Sequence, residues 1–234
     1  RYIGSLYSRT TRDSTGKLHK PKQPESWRDV GVKRRKKGEL TVRKGMEPKA
    51  AVVLYVPHTL DAKKPWSMDA SEDAQLLAQA LRIRLREVLR EELGGVYGVR
   101  VSSRVSKWPT ARATTYFMFN CAPENIDKLK RAALDVVEKV RSVGVSKDIV
   151  AKLRASRQRQ LETAMKSNGY WLRQLSAHLR FGTDPKRILQ TRKRVERVTN
   201  ANIKATANWL LPRSNLVFAR LLPEDKVIVT PAAK

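Results

Sequence analysis

At 234 residues, the chain has the length of one large domain or two small ones, and its 41% apolar content gives it material for a core. It carries 49 Lys+Arg against 22 Asp+Glu, a formal net charge of +27, and a compact body so charged repels itself until a polyanion or counterions neutralise it. Cys121 is the single cysteine, which excludes an internal disulfide and suits a reducing compartment, and no apolar run approaches the ~18 residues of a membrane span. The charge points first to nucleic acid and next to an anionic membrane surface.

"RYIGSL" at the start reads as the last strand fragment of something preceding this chain. The sequence opens on Arg1 without a methionine, so the expectation is an N-terminal piece removed or left out, such as a cleaved targeting segment. Residues 1–50 hold 15 Lys+Arg and 5 Asp+Glu, and "SRTTRDSTGKLHKPKQPESWRDVG" is rich in turn formers with little periodicity. Residues 8–38 read as an extended basic arm ending in the cluster Lys33, Arg34, Arg35, Lys36 and Lys37. The division expected is therefore an arm over 1–38 and a folded domain over 39–234.

From Glu39 the pattern becomes regular. "ELTVRKG" alternates and "AAVVLYVP" is β-branched, so both predict strands. Residues 70–92 have helical spacing at Leu76, Leu77, Ala80, Ile83 and Val88, with Ser71 placed to cap the start. "GGVYGVRVSSRVSKW" and "RATTYFMFNCA" predict an antiparallel pair turning near Trp108-Pro109-Thr110. Pro123 suits a helix first turn ahead of the stripe Ile126, Leu129, Ala133, Val136, Val137 and Val140, which Gly144 stops. Ser146 caps a helix to about Lys166, "GYWLRQLSAHLRFG" continues helical to Gly182, "DPKRILQTRKRVERV" is a short basic helix, and "TNANIKATANWLL" is the last. "NLVFARLLP" closes as a strand. This order predicts an α+β layer, a mostly antiparallel sheet with helices packed on one face.

The stretch "LREELGGVYGV" (89–99), followed by "APENIDKLKRAALDVVEKV", "RQRQLETAMKSNGYWL", "TNANIKATANWLL" and "ARLLPE", resembles the C-terminal domain of the insulinase- or pitrilysin-type zinc peptidases, the M16 family. The resemblance covers most of residues 39–224 and is closest to bacterial-type members. It implies a division of labour in which an inverted His-x-x-Glu-His helix and a distal Glu hold zinc in the N-terminal half. The C-terminal half supplies an Arg and a Tyr, seven residues apart, that hold substrate and stabilise the oxyanion; the matching positions are Arg90 and Tyr97. A guanidinium and a phenol are donors suited to charge developing on a carbonyl oxygen.

The metal half is not in this sequence. His19, His58 and His178 stand alone, with no His-x-x-Glu-His or His-Glu-x-x-His, so no metal site or other cofactor is expected and the chain by itself should not hydrolyse peptides. As fold residues, Arg90 would pair with a nearby acid and Tyr97 would pack on a strand. Gly94 and Gly95 suit a helix end, Phe117 and Phe119 alternate with Met118 across a strand, and Cys121 reads as a small buried hydrophobe.

Members of the family are near neutral or acidic, so the charge here needs its own cause. Candidate phosphate-binding residues are the arm cluster at 33–37, Arg154 and Arg157 on one helix, and Lys186, Arg187, Arg192, Lys193, Arg194 and Arg197 on the next basic segment, of which Lys186, Arg187, Arg194 and Arg197 would share a face. The first expectation is a non-catalytic, peptidase-derived protein binding the RNA backbone among the proteins of a large ribonucleoprotein, an organellar (mitochondrial) ribosome above all, with Trp27 free to stack on unpaired bases. The alternative is the non-metal half of a two-chain zinc peptidase, contributing Arg90 and Tyr97 to a partner that bears the metal. A third is a peripheral core subunit of a respiratory complex.

Overall fold

Ten residues of alternating burial, Ala50–Thr59, form the central strand of the molecule. The computed structural model describes residues 11–12, 14–19, 35–108 and 110–224. "RYIGSL", Trp27, Lys33 and Arg34 therefore lie outside the described residues.

The chain divides into two units, residues 1–34 and 35–234. In the first, β1 (Thr11–Arg12) pairs antiparallel with β2 (Leu18–His19), matching Thr11 with His19 and Arg12 with Leu18. Gly16 lies between them at φ +80°, which glycine adopts at little cost. A short hairpin thus sits inside the stretch expected to be an extended arm.

In the second unit β3 (Lys37–Arg43) takes in the last two residues of that stretch. It is followed by β4 (Ala50–Thr59), α1 (Met68–Arg86), a π-helical turn over Glu87–Glu92, β5 (Val99–Ser106) and β6 (Arg112–Cys121). A 3-10 turn at Pro123–Asn125 leads into α2 (Ile126–Ser142), then α3 (Lys147–Ala164) and α4 (Asn168–Phe181). A second 3-10 turn, Pro185–Leu189, precedes α5 (Thr191–Glu196), α6 (Asn200–Leu210) and β7 (Leu216–Leu222).

The sheet order is β3-β7-β4-β6-β5. β4 and β6 pair over ten positions, from Ala50 with Cys121 to Thr59 with Arg112, and β5 and β7 flank them antiparallel. β7 enters between β3 and β4 and runs parallel to β3, from Lys37 with Leu216 to Arg43 with Leu222. The sheet is therefore mixed, antiparallel except for that outer pair. On its helix-covered face lie Val52, Leu54, Val101, Phe117, Phe119 and Phe218, all buried with Cys121 close by. Ser103 and Thr115 share this face and satisfy each other through a 2.8 Å hydroxyl bond, so neither is left buried without a partner. Met118, between the two phenylalanines, faces outward.

Two helix details differ from expectation. Ser67, not Ser71, caps α1: its Oγ accepts the Ala70 N–H at 2.9 Å from an extended backbone, and the helix starts at Met68. Ser71 is already inside the first turn, where its hydroxyl donates to the Ser67 carbonyl. The basic segment at 185–196 is also not one helix. It breaks at Gln190, so residues before and after the break do not share a helical phase.

Candidate functional site

The end of α1 is built so that one residue stays inside and its neighbour goes out. Over Glu87–Glu92 the helix widens to π geometry, a form that recurs at functional positions because it costs stability and re-aims side chains. Leu89 is fully buried there, while Arg90 is exposed. The Leu93, Gly94 and Gly95 N–H groups donate back to the Val88, Arg90 and Leu89 carbonyls, closing the turn. Gly94 takes φ +59°, and a Cβ on Gly95 would sit 2.6 Å from Cδ2 of buried Leu129, so the chain runs against α2 where only glycine fits. Buried Val96 pins the next residue, and Tyr97 projects from it 92% exposed.

Arg90 and Tyr97 meet at this corner, with the guanidinium carbon 5.7 Å from the phenol ring centroid. Arg90 has no ion pair among the described residues: the nearby acids Glu87 and Glu91 go to Arg84 and Arg86. The fold-residue reading of this pair is thus overturned, since Arg90 takes no acid and Tyr97 packs on no strand. Two hydrogen-bond donors thus stand together in solvent, the guanidinium over the phenol ring, and among the described residues Arg90 has no acid partner.

The basic residues expected to bind phosphate behave otherwise. Arg157, Arg187, Arg194 and Arg197 turn inward onto Asp69, Glu72 and Asp73 in the first turns of α1, where acids also favour the helix dipole. Arg194 is only 8% exposed, bonding Glu72 at 3.0 Å and the Tyr170 hydroxyl at 3.1 Å. Arg157 reaches Glu72 at 2.7 Å. Arg197 bonds Asp73, whose other oxygen accepts from Asn202 at 2.8 Å. Burial pushes the Asp73 carboxyl above its ordinary range, with Asn202 and Arg197 pulling the other way. Arg154 donates to the Val198 carbonyl at 2.9 Å. The network clamps α3, α5 and the second 3-10 turn to α1, and of the four residues expected to share an outward face Arg187, Arg194 and Arg197 converge instead on these acids, while Lys186 stays in solvent. Arg35, Lys36, Lys37, Lys186 and Lys193 are exposed, and Arg192, also exposed, pairs with Glu196 at 2.8 Å.

The described residues do not fit a zinc ion. Among the described residues no three His, Cys, Asp or Glu side chains are placed to hold a metal. His178 is buried with Nδ1 2.8 Å from the Thr183 hydroxyl, His58 lies edge-on to Trp209, and Cys121 is buried. No helix among the described residues is long and apolar enough to cross a membrane.

Sequence reading missed one further grouping. Trp66, Trp108 and Phe181 stack together, with ring centroids 4.3 and 5.0 Å from the central Phe181, although 115 positions separate the first ring from the last. No local signal announces such a cluster.

Residues 2–157 match the family described as the peptidase M16 inactive domain. Over 187 residues the sequence is 26% identical to the probable zinc protease PqqL of Escherichia coli (strain K12), covering 79% of this chain and 20% of that protein. The ferredoxin protease FusC, solved in complex with Arabidopsis ferredoxin, superposes with a TM-score of 0.72 at 21% identity over 88% of this chain and 22% of its own. A peptidase M16 inactive domain from Pseudomonas fluorescens gives a TM-score of 0.63 at 19% identity, covering 81% of this chain and 44% of that one. The structural matches show a shared fold. This chain spans about a fifth of the length of the curated relative.

Proposed function

This chain belongs to the peptidase M16 inactive-domain family, and from that premise we propose that it is the substrate-side portion of a zinc peptidase, presenting Arg90 and Tyr97 to a portion that bears the metal. The observation that supports this reading is the exposed pair itself. A guanidinium and a phenol 5.7 Å apart, unpaired with acid and fixed by a π turn, are donors waiting for an acceptor. A peptide carbonyl placed between them would receive hydrogen bonds from both as negative charge gathers on its oxygen, and such donors matter most in a site closed to water. The nucleophile comes from outside this chain.

The arrangement also fits a non-catalytic role for the isolated chain, since donors without a nucleophile stabilise nothing. The inward turn of Arg157, Arg187, Arg194 and Arg197 takes four of the thirteen residues on which an RNA role had been placed and spends them on the fold. The test is kinetic. In the assembled peptidase, Arg90→Ala and Tyr97→Phe should each lower kcat by roughly 10²-fold or more, the range for loss of an oxyanion donor, with melting temperature unchanged because both side chains are exposed. Turnover within twofold of wild type in both variants would end the proposal.

A further inference from the structure

At the opposite end of α1 from the Arg90–Tyr97 corner lies a groove of about 730 Å³, counting space open to solvent. Its wall is the ring stack of Trp66, Phe181 and Trp108, and its charges are Arg104, Lys107 and Arg180. No Asp or Glu lines it, and none of the three cations has an ion pair among the described residues. Instead the rings hold two of them, Lys107 and Arg180. Lys107 Nζ is 5.3 Å from the Trp66 ring centroid and 5.0 Å from that of Trp108, while the Arg180 guanidinium carbon is 5.4 Å from Trp108 and 5.8 Å from Phe181. Cation–π contact fixes a cation in place without neutralising it. Two ring-held cations, with Arg104 beside them, thus line a groove that carries no counter-charge of its own.

We propose that this groove binds an acidic segment of a polypeptide, its aspartate and glutamate carboxylates taken by Arg104, Lys107 and Arg180. Carboxylates match cations that have no counter-charge, whereas a base needs an open ring face to stack on, and the rings, turned on one another or on Lys107 and Arg180, leave it only the exposed part of Trp108. The inference deepens the peptidase reading by naming a substrate class, and rests on it only in treating the bound segment as substrate. α1 puts the groove ~30 Å from Arg90 at 1.5 Å rise per residue. An extended chain covers that distance in about nine residues, so the acidic segment lies about that far from the bond held at Arg90 and Tyr97.

The test uses the whole chain alone, so its result is independent of turnover. A fluorescein-labelled twelve-residue polyglutamate peptide is titrated by anisotropy at physiological salt. The triple variant Arg104→Ala/Lys107→Ala/Arg180→Ala should weaken binding about tenfold, the sum expected of three partly screened pairs. The control Lys128→Ala/Lys152→Ala/Lys204→Ala, which removes the same charge from other exposed positions, should stay within about twofold. Equal loss in the two triples would mean a general charge effect and overturn the site, as would no binding by the wild-type chain. A twelve-nucleotide polyuridine that loses as much affinity as the peptide in the groove variant would overturn the acidic-peptide assignment. If Arg90→Ala and Tyr97→Phe leave turnover intact while the groove still binds, only the substrate label falls.

Discussion

Glu72→Gln keeps the shape of the side chain and removes the negative charge beneath three guanidinium groups. Glu72 takes bonds from Arg157 at 2.7 Å and from Arg194 at 3.0 and 3.2 Å, and lies 3.7 Å from Arg187. Deleting one partner of a buried ion pair costs about 3–5 kcal/mol, because the other charge stays behind without compensation. Arg194 is in that position, with its side chain 8% exposed, whereas Arg157 and Arg187 retain some contact with water, and Arg187 also holds Asp69. The lower end, about 3 kcal/mol, is therefore the expected loss. In a domain of this size each kcal/mol moves Tm by about 2–4 °C, which gives a fall of about 6–12 °C. Urea titration at neutral pH, read by circular dichroism, measures it. A loss below about 1 kcal/mol, together with weaker RNA binding when Arg157, Arg187, Arg194 and Arg197 are neutralised, would show that these arginines serve a ligand and not the fold.

Gly95→Ala puts a Cβ against Cδ1 and Cδ2 of Leu129, a core residue with no room to retreat, and should cost about 1–3 kcal/mol. Because the same turn carries Tyr97, turnover of the assembled peptidase should fall with the melting temperature; a fall in stability alone would separate the turn from the donor pair. His58 offers a pH test. Burial, helped by Lys36 and opposed by Asp61, holds its imidazole below the ordinary value of 6.5. A group depressed on folding gives stability that is present above its unfolded pKa and lost as pH falls through the folded one. The melting temperature should therefore drop as pH falls below about 6.5, and His58→Gln should flatten that part of the profile. An unchanged slope in the variant would assign the pH dependence to other groups.

What the sequence showed and what it hid divide along the range of the interactions. The stripe Ile126, Leu129, Ala133, Val136, Val137 and Val140 is a local period, and all but Val137, which is half-buried, are buried as it requires. Gly144 and Gly182 end their helices at positive φ, again a local matter. The widening of the helix at Glu87 is not visible in a pattern that still repeats near 3.6, so residues 70–92 read as one regular helix. The inward turn of Arg187, Arg194 and Arg197 depends on Asp69, Glu72 and Asp73, more than a hundred positions earlier, and a charge run read alone looks like a surface. The parallel pairing of β3 with β7 joins the two ends of the domain and leaves no trace in either strand. Arg90 and Tyr97 were recognisable only by resemblance, and it took the fold to show that neither is used internally.

Contact between Tyr97 and a bound peptide is the most direct measure of the proposed role. A photoreactive phenylalanine analogue at position 97, in the assembled peptidase holding an uncleaved peptide, should cross-link to that peptide within a residue or two of the bond to be cut. The same analogue at exposed Tyr97 forming adducts only with water or with neighbouring protein, while the peptide is demonstrably bound, would contradict the substrate-side assignment.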